Sequence, residues 1–207
     1  MGDEVWKHYV AQLENLDLPA YSKAEIILSH AGLIPAAEFP ECYLSPELSG
    51  VLDGLGLNHE RYHERVIHSR DSNIIHLYID ALNTHDDRTL GKLNGYPDCC
   101  VDDYVRNGRR SALSAKLRKA VDTDRKVHNF TIAYVPCEQC LFSDDSPSTE
   151  LETSTNSILR EKSPKIHAQV RKNAYSSVYD EQGRLHGIIT PEGKPISRDK
   201  LSSIHWE

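Results

Sequence analysis

Four of the five cysteines in this chain fall into two pairs, Cys99-Cys100 and Cys137-Glu138-Gln139-Cys140. Pro97 and Asp98 precede the first pair as helix-start signals, Pro at the threshold and Asp as N-cap, so the vicinal thiols open a helix. The unpaired N–H groups of a helix N-terminus favour thiolate over thiol. The second pair follows residues 130–135, which read as a strand, and so falls in the loop at that strand's end. The stretch between the pairs is long enough for a helix and a strand to fold back. Brought together, Cys99, Cys100, Cys137 and Cys140 supply four soft thiolates, enough to close a zinc or iron–sulfur site.

Composition limits the other classes. No run of about 18 apolar residues occurs, so no membrane span is expected. The acidic start, Met1 to Trp6, lacks the basic and apolar regions of a signal peptide. A cytoplasmic location follows as an expectation, and there clustered cysteines more often mean metal or redox chemistry than structural disulfides. A net charge of −7 argues against a general nucleic-acid binder, though it leaves room for a local basic patch.

Periodicity predicts an α+β fold, predominantly helical with a small sheet and a C-terminal β-hairpin. Val5, Trp6, Tyr9, Val10, Leu13 and Leu16 mark a first amphipathic helix. Ser22 and Glu25 suggest a capping box for a second, ending near Gly32, and Ser45-Pro46 starts a third. Residues 74–79 read as a strand, and the sheet is expected from 74–79, 130–135 and the hairpin formed by Val178-Tyr179 and 185–190. The first 57 or so residues would then cover this sheet as a helical layer. Residues 1–142 read as the core domain carrying the cysteine site. Residues 143–157, rich in Ser, Thr, Asp and Glu, read as a mobile linker or loop, and 158–207 as a C-terminal helix and hairpin.

Beyond the cysteines, His59 and His63 would share a face if Asn58 caps a helix, though a solvated polar face is the commoner outcome. Asp98, His59, His63 and His128 are the candidates for tuning the site or meeting a substrate. Arg106, Arg109, Arg110, Lys116, Arg118 and Lys119 belong to a segment with eight basic and two acidic residues between 106 and 126. It could meet phosphate, RNA or an acidic partner, or be a solvated helix face. Cys42, alone in its connection, reads as a small apolar residue.

Two resemblances bear on function. The stretch Leu90-Gly91-Lys92-Leu93-Asn94-Gly95-Tyr96-Pro97-Asp98-Cys99-Cys100-Val101 resembles the LGxLxGYPxCCV hallmark of an uncharacterised, largely archaeal family of unknown function. Its later Pro-Cys-x-x-Cys is matched by Pro136 to Cys140. The spacing of the vicinal pair and the CxxC is similar to that in the cysteine-rich domain of heterodisulfide-reductase-type subunits, with Val101 where that family usually has Gly. This second resemblance implies an iron–sulfur cluster. Adjacent cysteines suit a multinuclear cluster, because neighbouring side chains diverge towards different irons. An iron–sulfur protein of redox or sulfur-transfer function, with an unknown redox or protein partner, is therefore the leading expectation. A structural zinc module binding RNA or a protein through its basic helix is the alternative, and a dithiol/disulfide redox protein a further one. Cysteines that are merely buried complete the set. No catalytic triad, P-loop or Rossmann glycine pattern specifies a reaction.

Overall fold

The computed structural model describes residues 3–107, 111–127, 136–172, 176–180, 182, 184–190 and 193–201. The fold is α+β, with eleven α-helices, one short 3-10 helix and two three-stranded antiparallel sheets among these residues. The first sheet has the order β1-β3-β2, from Ala36–Pro40, Arg65–Ser69 and Asn58–Tyr62. Side chains alternate across it as a period of two requires. Ala37, Phe39 and Val66 face one core, formed with α1 (Asp3–Asn15), α2 (Ala20–Ala31), α3 (Pro46–Gly54), α9 (Pro147–Lys162) and α10 (Pro164–Lys172). Ala36 and Ile67 face a second core, made by α4 (Ser72–Thr84) and α5 (Asp87–Leu93). A third joins α7 (Ser111–Asp122) and α8 (Glu138–Phe142) to the second sheet, β4-β5-β6 (Ser176–Tyr179, Leu185–Ile189, Pro195–Ser197).

The first and third helices form as their patterns predict. Ser45 caps α3, its Oγ accepting from the Leu48 N–H at 3.2 Å, with Pro46 in the first turn. The C-terminal hairpin is present as β4 and β5, extended by β6 to a third strand that the sequence did not signal.

Several expectations are corrected. Residues 74–79 are helical, lying within α4, whose N-cap Asp71 accepts from the Asn73 N–H at 2.9 Å. The buried side chains are Ile75, Tyr78 and Ala81, three apart, while Leu77 is 46% exposed, so the apparent alternation was half of a helical stripe. The first sheet is built from β1, β2 and β3, the expected hairpin lies in the second, and residues 130–135 lie outside the described residues. The second helix starts at Ala20 after Pro19, leaving Ser22 buried inside it rather than at its cap. Residues 143–157 hold no long loop: Ser146 caps α9, accepting from the Thr149 N–H, and Pro147 begins the helix. The polar composition of α9 reflects an outer face, with Ser148, Thr155 and Leu159 turned inward.

Candidate metal centre

The Leu90–Val101 stretch is a helix end followed at once by a helix start. At the end of α5 the Tyr96 N–H donates to the Gly91 carbonyl at 3.0 Å and the Gly95 N–H to the Lys92 carbonyl at 2.9 Å. This pair of bonds is a Schellman cap, which places Gly95 in the left-handed region, at φ +75°. A β-carbon at Gly95 would also stand 2.9 Å from the Ile34 side chain. Gly91 is needed for another reason, since its β-carbon would meet Val101 at 2.8 Å where α5 crosses α6 (Asp98–Asn107). Pro97 then stops the old helix and serves the new one. Its carbonyl accepts from the N–H groups of Cys100 and Val101, so α6 begins at Asp98 itself rather than being capped by it.

The first turn of α6 presents Cys99 and Cys100 to α8, whose N-cap is Cys137 and whose third residue is Cys140. The four sulfurs lie within 4.8 Å of one another. Cys99 Sγ is 3.4 Å from Cys140 Sγ and 4.0 Å from Cys100 Sγ. Cys100, Cys137 and Cys140 are buried, and Cys99 is half-buried. The Cys137 N–H donates to Cys100 Sγ at 3.3 Å, and Ser148 Oγ, fully buried at the start of α9, is 3.4 Å from the same sulfur. Burial raises the Cys99 thiol to about 12, and its contact with Cys140 adds to the shift. Burial raises Cys100 as well. Cys140 is also pushed up by burial, but hydrogen bonds with Ser148 and the neighbouring thiols outweigh this and bring it down to about 7. A divalent cation would let all four ionise, and the all-sulfur donor set suits a soft or borderline metal.

The basic segment braces this centre. Lys116, from α7, reaches Asp103 Oδ2 of α6 at 2.6 Å and the Pro136 carbonyl at 3.0 Å. Lys119 pairs with Glu138 in α8. Arg125 lies over the Phe142 ring and donates to the Phe142 carbonyl. Arg106 donates to the Asp102 carbonyl and Arg118 to that of Tyr179. Arg109 and Arg110 lie outside the described residues, as does His128. This bracing was not read from the sequence. The only available signal was the coincidence of Lys116 and Lys119 at helical spacing with Asp103 and Glu138 beside the two cysteine pairs.

The other candidates lie apart from the sulfurs. Asp98 is exposed and 3.5 Å from Lys92. His59 is not on a helix but in strand β2, with its Nε2 3.0 Å from Ser49 Oγ. His63 takes a left-handed conformation in the β2–β3 turn and packs against Tyr62. Neither belongs to the metal-competent group among the described residues, and Cys42 is free and exposed.

Residues 59–144 match the family model DUF483, described as a protein of unknown function. The matched segment contains all four clustered cysteines and the Schellman-capped motif before them, in line with the expected uncharacterised family. No curated protein and no solved structure matches the chain. Among the described residues, no helix is long and apolar enough to cross a membrane.

Proposed function

We propose that the four cysteines hold a single Zn²⁺ ion whose role is structural, tying together parts of the chain that share no common apolar core. The observation that carries this reading is where the sulfurs lie. Cys99 and Cys100 belong to α6, which packs on α5 of the second core. Cys137 and Cys140 flank α8, whose Leu141 enters the third core. Ser148, against Cys100, starts α9, whose Leu159 enters the first. The cysteines form a separate buried cluster at this junction. Four protein ligands leave no open position, which is the pattern of structural rather than catalytic zinc.

The mutual spacing supports one ion over a cluster. Zn–S bonds of about 2.3 Å at tetrahedral angles put sulfurs about 3.8 Å apart, in the range seen here. In a four-iron cluster each thiolate binds a different iron, so the sulfurs stand farther apart by the iron–iron vector as well. The vicinal pair, which favoured an iron–sulfur cluster on sequence grounds, is accommodated because the first turn of α6 turns both side chains towards α8. The basic segment acts in this reading as a cradle. Lys116 and Lys119 offset the negative charge of a tetrathiolate centre and hold α7 to α6 and α8. RNA binding through these cations is the weaker reading, because their partners lie within the protein.

Metal and acid-labile sulfide analysis of anaerobically purified protein, with an absorption spectrum, tests the proposal. Zinc near one per chain and a colourless solution are expected. Iron with sulfide and visible absorption would replace the single-ion reading with the cluster and its redox chemistry. Absence of both metals would leave the dithiol reading.

A further inference from the structure

A second site lies on the other side of Cys100. A cavity of about 290 Å³ opens between the first sheet and helices α4, α5 and α6, with Cys100 and Val101 on its inner wall. That volume is close to the lower end of small-molecule pockets, about 300 Å³, and too small for a folded partner.

Its chemistry centres on Glu38. Strand alternation puts Glu38 on the same face as Ala36, the face that α4 and α5 cover, where an apolar residue would ordinarily stand. One carboxylate oxygen accepts from Arg65, at the mouth of the sheet. The other, Oε2, is buried and has no partner among the described residues. An unsatisfied buried carboxylate oxygen is costly, so its retention calls for a donor that the described residues do not supply.

The walls show what kind of donor fits. Tyr78, Tyr96 and Tyr104 line the cavity together with apolar Leu82 and Leu90. Asp87 adds a second acidic group at the lining, against the single cation Arg65. Glu25 of α2 lies behind, and burial together with Glu38 raises it to about 8. Burial raises the Tyr78 and Tyr96 phenols too, and the Glu38 carboxylate pushes both further in the same direction. The described residues offer no set of three carboxylate or imidazole ligands here, so a bare metal ion is poorly served. A carboxylate beside several aromatic rings is instead the arrangement that recognises an organic cation.

We propose that this cavity binds a small organic cation, its ammonium or amidinium group donating to Glu38 Oε2 and its body resting among Tyr78, Tyr96 and Tyr104. The site is independent of which metal the cysteines hold.

Titration calorimetry of the full, metal-loaded chain with benzamidine, and with its neutral analogue benzamide, tests the assignment. Benzamidine should bind saturably, at least about tenfold more tightly than benzamide, because only the cation pairs with the free oxygen. Glu38→Gln should abolish that preference. Tyr104→Ala, a change on the half-buried rim that leaves the Glu38–Arg65 pair intact, should weaken benzamidine about tenfold, the loss of one aromatic contact to a desolvated cation. Equal binding of the two compounds, no binding of benzamidine, or a full preference surviving in both variants would overturn the proposal. Metal content of the same samples reports separately on the cysteine centre, so failure of one site is not mistaken for failure of the other.

Discussion

The backbone N–H of Cys137 donates to Cys100 Sγ across 3.3 Å, so the loop entering α8 is fixed to the first turn of α6 by the sulfur itself. This bond favours a thiolate at Cys100, and with Ser148 it orients the sulfur towards the other three. The clustered thiols are thus held by groups from α8 and α9 as well as from α6.

On the proposed zinc reading, removing one of the four thiols should remove the metal. Cys99→Ser and Cys137→Ser are expected to lose most of the bound metal. Cys42→Ser, at an exposed cysteine outside the cluster, should keep it all. Metal analysis after gel filtration decides, and an equal loss in Cys42→Ser would make the centre a five-cysteine one.

Lys116 is only 14% exposed and Asp103 only 23%, so their pair is less screened than a surface one. Lys116→Met removes the lysine donor from Asp103 Oδ2 and the Pro136 carbonyl, while Asn107 still donates to Asp103 Oδ1. A loss of roughly 2 kcal/mol is expected in urea unfolding, with faster removal of the metal by a chelator. Unchanged chelation kinetics would show that the lysine does not brace the centre.

Half-buried Glu25 and buried His68 shape stability against pH in opposite senses. Glu25 is raised from an ordinary value of 4.5 to about 8, so between those values the folded chain keeps a proton that the unfolded chain releases. Its contribution is full below pH 4.5 and is lost as pH rises through 8. His68 is lowered by burial from 6.5 to about 3, so its contribution is full above 6.5 and is lost as pH falls towards 3. Between 4.5 and 6.5 the two slopes cancel, leaving a plateau for this pair of groups. From 6.5 to 8 the fall belongs to Glu25 alone, at most about 1.4 kcal/mol per pH unit. Urea midpoints measured across this range should fall more steeply in the native protein than in Glu25→Gln. Parallel curves would show that Glu25 does not hold the proton.

Neither ring nitrogen of His68 has a partner among the described residues, although the side chain is 1% exposed. His68→Leu, of similar volume, should raise stability at pH 7 by about 1 kcal/mol, since it replaces unsatisfied polar atoms with apolar ones. A lower melting temperature in calorimetry would point to a partner that the imidazole does have in solution.

Gly54 provides a case where local propensity and packing disagree. Alanine in a helix interior is ordinarily better than glycine by about 1 kcal/mol. A β-carbon here would fall 2.0 Å from the Tyr9 ring, where α3 crosses α1. Gly54→Ala should therefore destabilise, by roughly 2 kcal/mol, because the half-buried Tyr9 ring must be displaced. A gain in chemical-denaturation stability would mean that Tyr9 moves aside freely.

The sequence alone determined what is local. Ser45-Pro46 set a helix start, Gly95 and Pro97 set a stop and a restart, and paired cysteines announced a thiolate site, because caps, turn residues and ligand types act within a few residues of themselves. Short apolar runs were ambiguous. Residues 74–79 fit two periods equally until the packing of Ile75 and Tyr78 on the sheet chose the helix, and the Ser-rich stretch before Leu159 gave no sign of its inward face. Only the tertiary structure decided that β1, β2 and β3 form a sheet, that Lys116 and Lys119 face acidic partners on neighbouring helices, and that Glu38 stands over a cavity beside Cys100. Those facts depend on which distant surfaces meet, and contacts between residues far apart in sequence leave no periodic trace along the chain.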